Sequence, residues 1–407
     1  MIPHHTHLEN DSQSVLRDFP LAGRDIAKRA NVSFLPQISS ADSTETIHVG
    51  LYEALLGKGT DGVIEKLKEY ADERRRLTVG LRDKVKLQTA IYDEALASKK
   101  IVGADAGRNG TNYRFAFVPL YGAVAVLIDN WKLTEEPICA SGVPDIWPTE
   151  KDPDRRESLL HMALEYHVAR KAVEQWHPNY VVFDGGLVLN PRLHTKRGDP
   201  EEYHQDFVFT VLTALSFLDT CKKEGVNVVG FVKRTQMSRL YSVFDIPPMR
   251  DSIFLNPLME LGEYTAPLLI KNLVTNTYHH FAEEFGLSED LVDMYTGYIK
   301  TCHAPPYRIE VPLFCLNRIK EIASILLTMA DPEGIPYPVH EADQYTKISS
   351  PTSNIHTLVL YSKALDLVKK GLLDPTDLDL LILQYGEQWS LRESEFWEEL
   401  GKVGGRG

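Results

Sequence analysis

The order of apolar and amphipathic runs between residues 101 and 233 constrains the fold of this chain more than any other feature. The run IVGAD ends in Asp105, and YRFAFVPLYGAVAVLID, broken near Pro119, predicts two further strands. Asp152-Pro153 then begins a helix in the favoured way, with Asp as cap and Pro in the first turn. The strand YVVFD, a helix from about Glu201 to Lys223 and the strand VNVVGFVK follow. The sequence therefore predicts three antiparallel strands, then helix, strand, helix and strand.

That order is the order of the ribonuclease H-like fold, an α/β fold with a mixed sheet. In this fold the first and fourth strands lie side by side, so acids that end them lie close together. Asp105 and Asp184 hold these two positions. The helix between them carries Glu157, His161 and Glu165 four residues apart on one face, and Glu165 is placed nearest the strand ends.

Three carboxylates from separate elements can hold two divalent ions roughly 4 Å apart, one activating water and the other stabilising the leaving oxygen of a phosphodiester. Asp105, Glu165 and Asp184 therefore predict a metal-dependent nuclease. Each acid alone is more typical of a turn or a solvated helix face, but their joint placement favours the site. For Glu157 and His161 we expect surface positions or supporting roles.

Composition narrows the function classes. Of the 407 residues, 43% are hydrophobic and 25% are charged, and no apolar run is long enough to span a bilayer. Four scattered cysteines without a CxxC pair argue against a zinc ribbon and against a disulfide framework. The amino terminus lacks the basic region and apolar stretch of a secretory signal. These features predict a soluble, cytoplasmic protein without a membrane partner.

The formal net charge of -13 disfavours a protein that coats nucleic acid, because that affinity comes mainly from Lys and Arg neutralising phosphates. It does not exclude a nuclease, since metal-binding carboxylates add negative charge and a local basic track can guide a strand. The candidates for contacts with DNA are Lys233, Arg234, Arg239, Lys196, Arg197, Tyr307 and Arg308. Ordinary surface charge, or strand packing for Tyr307, is the alternative interpretation.

Helical spacing, strand patterns and turn signals predict five regions. Residues 1–98 form an N-terminal helical region, and 99–240 form the ribonuclease H-like core. Residues 241–302 form an inserted mixed or helical segment. Residues 303–350 complete the core and carry a late site motif, and 351–407 form a C-terminal helical region.

A set of short motifs gives the chain a family resemblance from about residue 100 to 350. IVGADAGRNG with two strands, the Glu165 helix, VVFDGGL, GFVKRTQMSRL, YRIEVP and YPVHEADQYTKIS together resemble the NurA nuclease family in order and spacing. The resemblance implies a manganese-dependent nuclease, with Mg²⁺ as a further possible ion, that acts on DNA ends in the 5′-to-3′ direction and on single strands. It also implies a homodimer that docks on a hexameric HerA ATPase and resects broken DNA in prokaryotes.

The resemblance assigns site residues one by one. Asp105, Glu165 and Asp184 match the family's strand and helix acids. Asp343 resembles the late polar residue that completes the site, with His340 as a less favoured substitute, and its neighbour Lys347 is a candidate for phosphate contact. The family usually shows Asp-Gly-Ser at both strand ends, whereas this chain has DAG and DGG. The acids are retained and both serines are absent, so these positions cannot contribute a hydroxyl group to the site.

Two rival functions use related sequence features. DAGRNGT and DGG resemble the phosphate loops of actin-like ATPases and sugar kinases, but those folds duplicate the core and place the second loop in the other half. A P-loop ATPase fits less well, because LLGKGT has Gly59 where Ser or Thr binds magnesium. A non-catalytic DNA clamp subunit is favoured if the three acids lie far apart.

Overall fold

The computed structural model describes residues 56, 59–113, 116–143, 145–147 and 152–381. The chain divides into two compact units, residues 1–79 and 80–407, and each is described by itself. None of the described helices combines the length and hydrophobicity needed to cross a membrane. The five predicted regions stay a prediction, and residues 382–407 of the predicted C-terminal helical region lie outside the described residues.

The described element of the first unit is helix α1, Gly59–Thr78. Its charged residues are largely exposed, as in the Lys66–Glu69 ion pair, so most of the helix surface faces solvent. It covers only part of the predicted N-terminal helical region, residues 1–98. Gly80 has a φ of +77°, a left-handed conformation typical of helix ends, and the chain beyond it forms short 3₁₀ turns and a strand.

Among its described residues, the second unit contains a mixed sheet of eleven strands and a separate two-stranded sheet. The strands are β1 Leu87–Thr89, β2 Ile101–Arg108, β3 Thr111–Asn112, β4 Phe117–Val118, β5 Tyr121–Asp129, β6 Lys132–Leu133, β7 Ile138–Ser141, β8 Tyr180–Asp184, β9 Asn227–Val232, β10 Glu263–Thr265, β11 Leu268–Leu269, β12 Met294–Ile299 and β13 Tyr307–Pro312. The main path runs β1-β10-β12-β13-β9-β8-β2-β5-β6, with β7 beside β5 and β11 beside β12.

Helices connect the strands of the second unit and follow them to residue 369. They are α2 Pro153–Trp176, α3 Glu201–Lys223, α4 Leu240–Phe244, α5 Asp251–Leu255, α6 Leu273–Glu284, α7 Ile319–Thr328, α8 Tyr337–Thr346 and α9 Ser350–Lys369. Asp152 caps α2 through a bond from the Arg155 backbone N–H, as the sequence predicts. Helices α2 and α8 both pack against β2 and β5.

The central strands follow the prediction. β2 and β8 are parallel neighbours, and β9 continues the parallel set beside β8. Their residues, among them Val102, Val182 and Val229, are almost completely buried, because parallel strands with helices packed on them have no solvated face. The predicted adjacency of the first and fourth strands is therefore confirmed.

Of the two strands predicted from YRFAFVPLYGAVAVLID, only the second lies in the main sheet, as β5 beside β2. Phe117–Val118 pairs with Thr111–Asn112 outside the main sheet, whereas Ile138–Ser141 pairs with β5 inside it. Asn130 and Trp131 both have positive φ and form the two-residue turn that reverses the chain after β5. This turn directs the chain back along β5, so β6 and β7, which both follow the turn, pair with β5.

The segment 241–302 belongs partly to the sheet. β10 and β12 lie between β13 and β1, all in antiparallel order, and β13 pairs with β9. The segment therefore extends the sheet beyond the strands of the predicted core.

Candidate active site

Asp105 and Asp184 lie at the same level of two neighbouring strands. The parallel register pairs Ala104 of β2 with Phe183 of β8, and each acid is the next residue along its strand. Asp184 is the last residue of β8, and both acids are largely buried, with Asp105 8% exposed and the side chain of Asp184 10% exposed. The strand pairing thus brings together the two acids that the sequence singled out.

Two glycines let a helix approach Asp105 closely. A Cβ atom on Gly103 would lie 1.9 Å from the backbone oxygen of Pro338, and one on Gly107 would lie 1.9 Å from that of Thr346. Because alternate residues of a strand share a face, Asp105 points to the same side as both glycines. Helix α8 therefore lies directly over Asp105, and no side chain larger than hydrogen fits at either flanking position.

Helix α8 adds a third acid. One carboxylate oxygen from each of Asp105, Asp184 and Asp343 lies within 4.8 Å of the others. The same helix places the Thr346 hydroxyl as a hydrogen-bond donor to Asp105 Oδ2. Oxygen donors from several carboxylates suit hard divalent ions such as Mg²⁺ and Mn²⁺. The residues present therefore fit the ion that the sequence predicts.

Glu165 lies beside these three acids. This residue of α2 is 3% exposed, and its Oε1 has no hydrogen-bond partner among the described residues. Burial raises the pKa of Glu165 well above its ordinary value, and the negative charges of Asp105 and Asp184 raise it further. A buried carboxylate oxygen without a partner is costly unless a cation or a proton satisfies it, which is a second reason for a metal here.

The strand acids also have perturbed pKa values. Burial raises the pKa of Asp105 to about 7, with a further contribution from Asp184, while the Thr346 hydroxyl and Lys233 oppose the shift. Burial likewise raises the pKa of Asp184, and Lys233 opposes that shift. Neighbouring buried carboxyl groups with raised pKa values are typical of functional sites, and a bound cation would stabilise their ionised forms.

Lys233 lies inside the acid cluster. Its Nζ is 2.6 Å from Asp184 Oδ2 and 3.3 Å from Asp343 Oδ1. Burial lowers the pKa of Lys233, but the attraction of Asp184, Asp343 and Asp105 outweighs burial, so that the pKa is raised overall. The ammonium group supplies positive charge where a metal ion would supply it. The sequence predicted Lys233 as a contact for DNA and did not predict this pairing.

The other basic candidates differ in exposure. Arg234, Lys196, Arg197 and Lys347 are exposed, and Lys347 directly follows Thr346 at the end of α8. Arg239 is partly buried and donates from Nη2 to the backbone oxygen of Lys271 at 3.1 Å. Their roles toward DNA stay predictions.

Tyr307, Arg308 and His340 have partners within the protein. The Tyr307 hydroxyl donates to the Glu333 carbonyl at 2.6 Å, and its ring packs against Phe231, which agrees with the strand-packing alternative. Arg308 Nη1 lies 2.6 Å from Glu310 Oε1. His340 Nδ1 lies 3.2 Å from Asp331, so this side chain is held by an acid other than the four of the site.

Glu157 and His161 are more buried than surface positions would be. Glu157 has no exposed surface, accepts from the Leu120 backbone N–H at 2.8 Å and pairs with Arg108 at 3.2 Å. Burial lowers the pKa of His161 to about 4, and its Nδ1 lies 3.3 Å from the Glu157 carbonyl oxygen. Of the two expected roles Glu157 has the supporting one, because it holds the loop before β5 and the end of β2.

Sequence reasoning missed two residues that shape the site. Thr346 lies in the motif YPVHEADQYTKIS, three residues after Asp343 and so on the next helical turn, but a hydroxyl there has no recognisable signal. Glu310 lies in YRIEVP, is buried and accepts from the Val188 backbone N–H at 3.0 Å. The sequence signal for Glu310 was an acidic residue inside an otherwise apolar strand pattern.

Comparison with known proteins agrees with this geometry. A family model for the NurA domain matches residues 68–348. The chain belongs to the NurA family. The match includes all four acids, Lys233, Glu310 and Thr346.

Similar solved structures include two of NurA and one of endonuclease V, and the first of them shows the same fold. The NurA nuclease from Sulfolobus solfataricus is 19% identical, with a TM-score of 0.58 over 76% of this chain and 98% of that one. A NurA crystal structure with manganese is 12% identical, with a TM-score of 0.49 over 74% and 98%. Endonuclease V from Bacillus subtilis is 16% identical, with a TM-score of 0.33 over 70% and 90%. No curated protein sequence matches significantly.

Proposed function

We propose that this NurA-family chain is a divalent-metal-dependent nuclease that hydrolyses phosphodiester bonds at the acid cluster. The observation that carries the proposal is the convergence of carboxylate oxygens from Asp105, Asp184 and Asp343 within 4.8 Å, with the buried Glu165 beside them. These acids come from separate elements, so the tertiary fold assembles the cluster. Family membership supports the same reaction class.

The position of each residue indicates its role in holding the ions or the substrate. When bound, divalent ions supply Lewis acidity and lower the pKa of the water they bind, so that a hydroxide nucleophile is available near neutral pH. Asp105 and Asp184, fixed by paired strands, would hold the ions with Asp343, and Glu165 would complete the ligand set from α2. Lys233 would then be released from its carboxylate partners to bind the phosphate of the substrate, because the ions take over neutralisation of the acids.

We also propose the ribonuclease H-like arrangement for the core. The strands β9, β8, β2, β5 and β7 are consecutive neighbours, and the first three are parallel. This order matches the fifth, fourth, first, second and third strands of that fold. The strands that lie beyond β9 in the sheet, from β13 to β1, would then be additions to it.

Family membership supports further proposals about the preferred ion, the mode of cleavage and the assembly. We infer manganese as the preferred ion with magnesium as an alternative, exonuclease activity in the 5′-to-3′ direction, endonuclease activity on single strands, and a cytoplasmic role in prokaryotic DNA end resection. Crystal structures of NurA exist with manganese and with dAMP and manganese. A homodimer and a HerA-type hexameric ATPase are the proposed assembly.

The rival functions lose support. The clamp alternative required separated acids, whereas Asp105 and Asp184 are neighbours across β2 and β8. The ATPase alternative placed two phosphate loops in duplicated halves, whereas a single NurA family model spans both. The nuclease therefore remains the function that the geometry favours.

Cleavage of end-labelled linear and single-stranded DNA tests the proposal. The reactions contain Mn²⁺, Mg²⁺ or EDTA, with and without a HerA-type ATPase and ATP, and compare wild type with Asp184→Asn. Circular dichroism shows that the variant remains folded. We expect metal-dependent cleavage by wild type that Asp184→Asn loses, and absence of wild-type cleavage under all conditions would overturn the proposal.

A further inference from the structure

A cavity of about 640 Å³ is lined by residues that lie close in sequence to members of the acid cluster. Gly186, which follows Asp184 by two residues, forms part of its wall, and so does Val232, which directly precedes Lys233. Met162, which precedes Glu165 by three residues on α2, contributes to the wall as well. Because these wall residues lie within three positions of Asp184, Lys233 and Glu165 on three elements, the cavity lies near the proposed metal site.

The wall of this cavity is rich in arginine. We call it the arginine pocket, after Arg192, Arg234, Arg239 and Arg308. Glu310, the acid in this lining, is paired with Arg308 at 2.6 Å, so the remaining arginines leave an excess of positive charge. Such an excess beside four acids, in a chain of net charge -13, is the local basic region that a nuclease needs.

Apolar side chains share the same wall. Met162, Val188 and Ile270 line the pocket together with the arginines, and Val188 and Ile270 are buried. A pocket with apolar surface and a few fixed polar groups is typical of small-molecule sites. Apolar surface suits the flat face of a base, and guanidinium groups suit phosphate oxygens, so the combined wall has the chemistry of a nucleotide site.

Arg308 is held in place before any ligand binds. Its side chain is 15% exposed and bonded to Glu310, which is 2% exposed and also accepts from the Val188 backbone N–H. Arg308 Nε is buried and has no hydrogen-bond partner among the described residues. A guanidinium has five N–H donors, so the bond to Glu310 leaves donors for a ligand. Fixed geometry lowers the entropic cost of binding.

We propose that the arginine pocket binds one unpaired nucleotide of the substrate strand, adjacent to the phosphodiester that lies at the acids. Arg234 and Arg308 bind its phosphate, and the apolar wall contacts its base. This inference rests on the proposed nuclease function and deepens it, because a base can enter the pocket only when it is outside a duplex stack. The pocket thereby selects single-stranded substrate at the position next to cleavage.

Fluorescence anisotropy of a short labelled single strand in EDTA tests the proposal, since without metal the strand stays intact. The variants are Arg234→Met and the double variant Arg308→Met with Glu310→Met, which removes both members of the pair and leaves no buried charge unpaired. Arg318→Met is the matched control, because Arg318 is 58% exposed and pairs with Glu321 away from the pocket lining. Circular dichroism verifies folding of each variant.

We expect the pocket variants to bind roughly tenfold or more weakly, since a hydrogen bond to a charged group contributes about 1.5–3 kcal/mol. The slope of log affinity against log salt becomes shallower by about 0.7 for each phosphate of the single strand that no longer pairs with an arginine. The Arg318 variant binds as wild type. Unchanged affinity in both pocket variants overturns the proposal.

Base entry is measured separately with 2-aminopurine placed at successive positions of the strand. We expect a change in fluorescence on binding at one position, absent in the pocket variants, and no such position in a blunt duplex. A uniform response along the strand would contradict a pocket for a single nucleotide.

The Asp184→Asn variant separates this proposal from the proposed function. If binding depends on the arginines but wild type does not cleave DNA with any metal, the nuclease assignment fails and the pocket stands. If wild type cleaves, Asp184→Asn does not, and the arginine variants bind as wild type, only the pocket assignment fails.

Discussion

Lys233 Nζ lies 2.6 Å from Asp184 Oδ2 and 3.3 Å from Asp343 Oδ1, so one ammonium group joins acids from strand β8 and helix α8. The lysine side chain is 23% exposed, which places the pairing in partly desolvated surroundings where charge interactions are stronger than in water. The protein without metal therefore carries its own cation at the site. A divalent ion and Lys233 share the same carboxylates.

The first prediction concerns Lys233→Met. Without metal this variant is less stable than wild type, because the acids lose the charge that offsets their mutual repulsion, and Mn²⁺ raises its melting temperature by more than it raises that of wild type. Thermal unfolding with EDTA and with Mn²⁺ measures both effects. Lys223→Met is the control, since Lys223 is 71% exposed and pairs with Asp219 of the same helix. Equal gains from Mn²⁺ in Lys233→Met and wild type would contradict the prediction.

The second prediction is a pH dependence of stability without metal. The pKa of Asp105 is raised from 3.8 to about 7, so between these values the folded protein retains a proton that the unfolded chain releases. The contribution of Asp105 to stability is therefore full below about pH 4 and is lost as pH rises through about 7. Melting temperatures of wild type and Asp105→Asn in EDTA isolate this group, because the amide does not titrate.

For that comparison we expect the stability of wild type relative to Asp105→Asn to fall as pH rises, and Mn²⁺ to reverse the fall because it binds the ionised form. A difference between the two proteins that stays constant across the range would show that Asp105 has an ordinary pKa.

The third prediction concerns the hydroxyl of Thr346. Its bond to Asp105 favours the ionised carboxylate, so Thr346→Val raises the pKa of Asp105 and weakens Mn²⁺ binding about tenfold at neutral pH. Thr346→Ser retains the hydroxyl and retains the affinity. Isothermal titration with Mn²⁺ distinguishes them, and equal affinities for the valine and serine variants would exclude the role assigned to the hydroxyl.

The fourth prediction separates fold from site. Glu157→Ala leaves the Leu120 N–H and Arg108 without their buried partner and costs about 1–3 kcal/mol of unfolding free energy. Asp154→Ala removes the other acid near Arg108, but Asp154 is 69% exposed, so the cost is at most about 0.5 kcal/mol. Urea unfolding measures both, and similar losses in the two variants would contradict the role of Glu157.

The sequence predicts the centre of the fold because its signals there are local. Asp152-Pro153 begins a helix, apolar runs of five or six residues form β8 and β9, and Asp before Gly ends a strand. The outer strands have no comparable signal. β10 and β11 contain three and two residues, which is too short for a recognisable alternation of apolar and polar residues. Both pair with β12, whose residues lie well beyond them in the chain.

The candidate site divides in the same way. Asp105 and Asp184 are predictable because strand order places them together, whereas Asp343 follows from the family resemblance alone. The bond from Thr346 to Asp105 spans 241 residues of chain, and it depends on the close approach of α8 over Gly103 and Gly107. A helix position set by packing against two glycines is a tertiary property, which residue spacing does not encode.

Binding of Mn²⁺ measured by electron paramagnetic resonance tests the central claim most directly, because the signal of free Mn²⁺ reports occupancy of the acids without any requirement for DNA. We expect saturable binding by wild type and binding at least about tenfold weaker in Asp184→Asn and Glu165→Gln. The control Asp219→Asn, whose aspartate lies on α3, binds as wild type. If Asp184→Asn and Glu165→Gln bound Mn²⁺ as tightly as wild type, the acid cluster would not be the metal site.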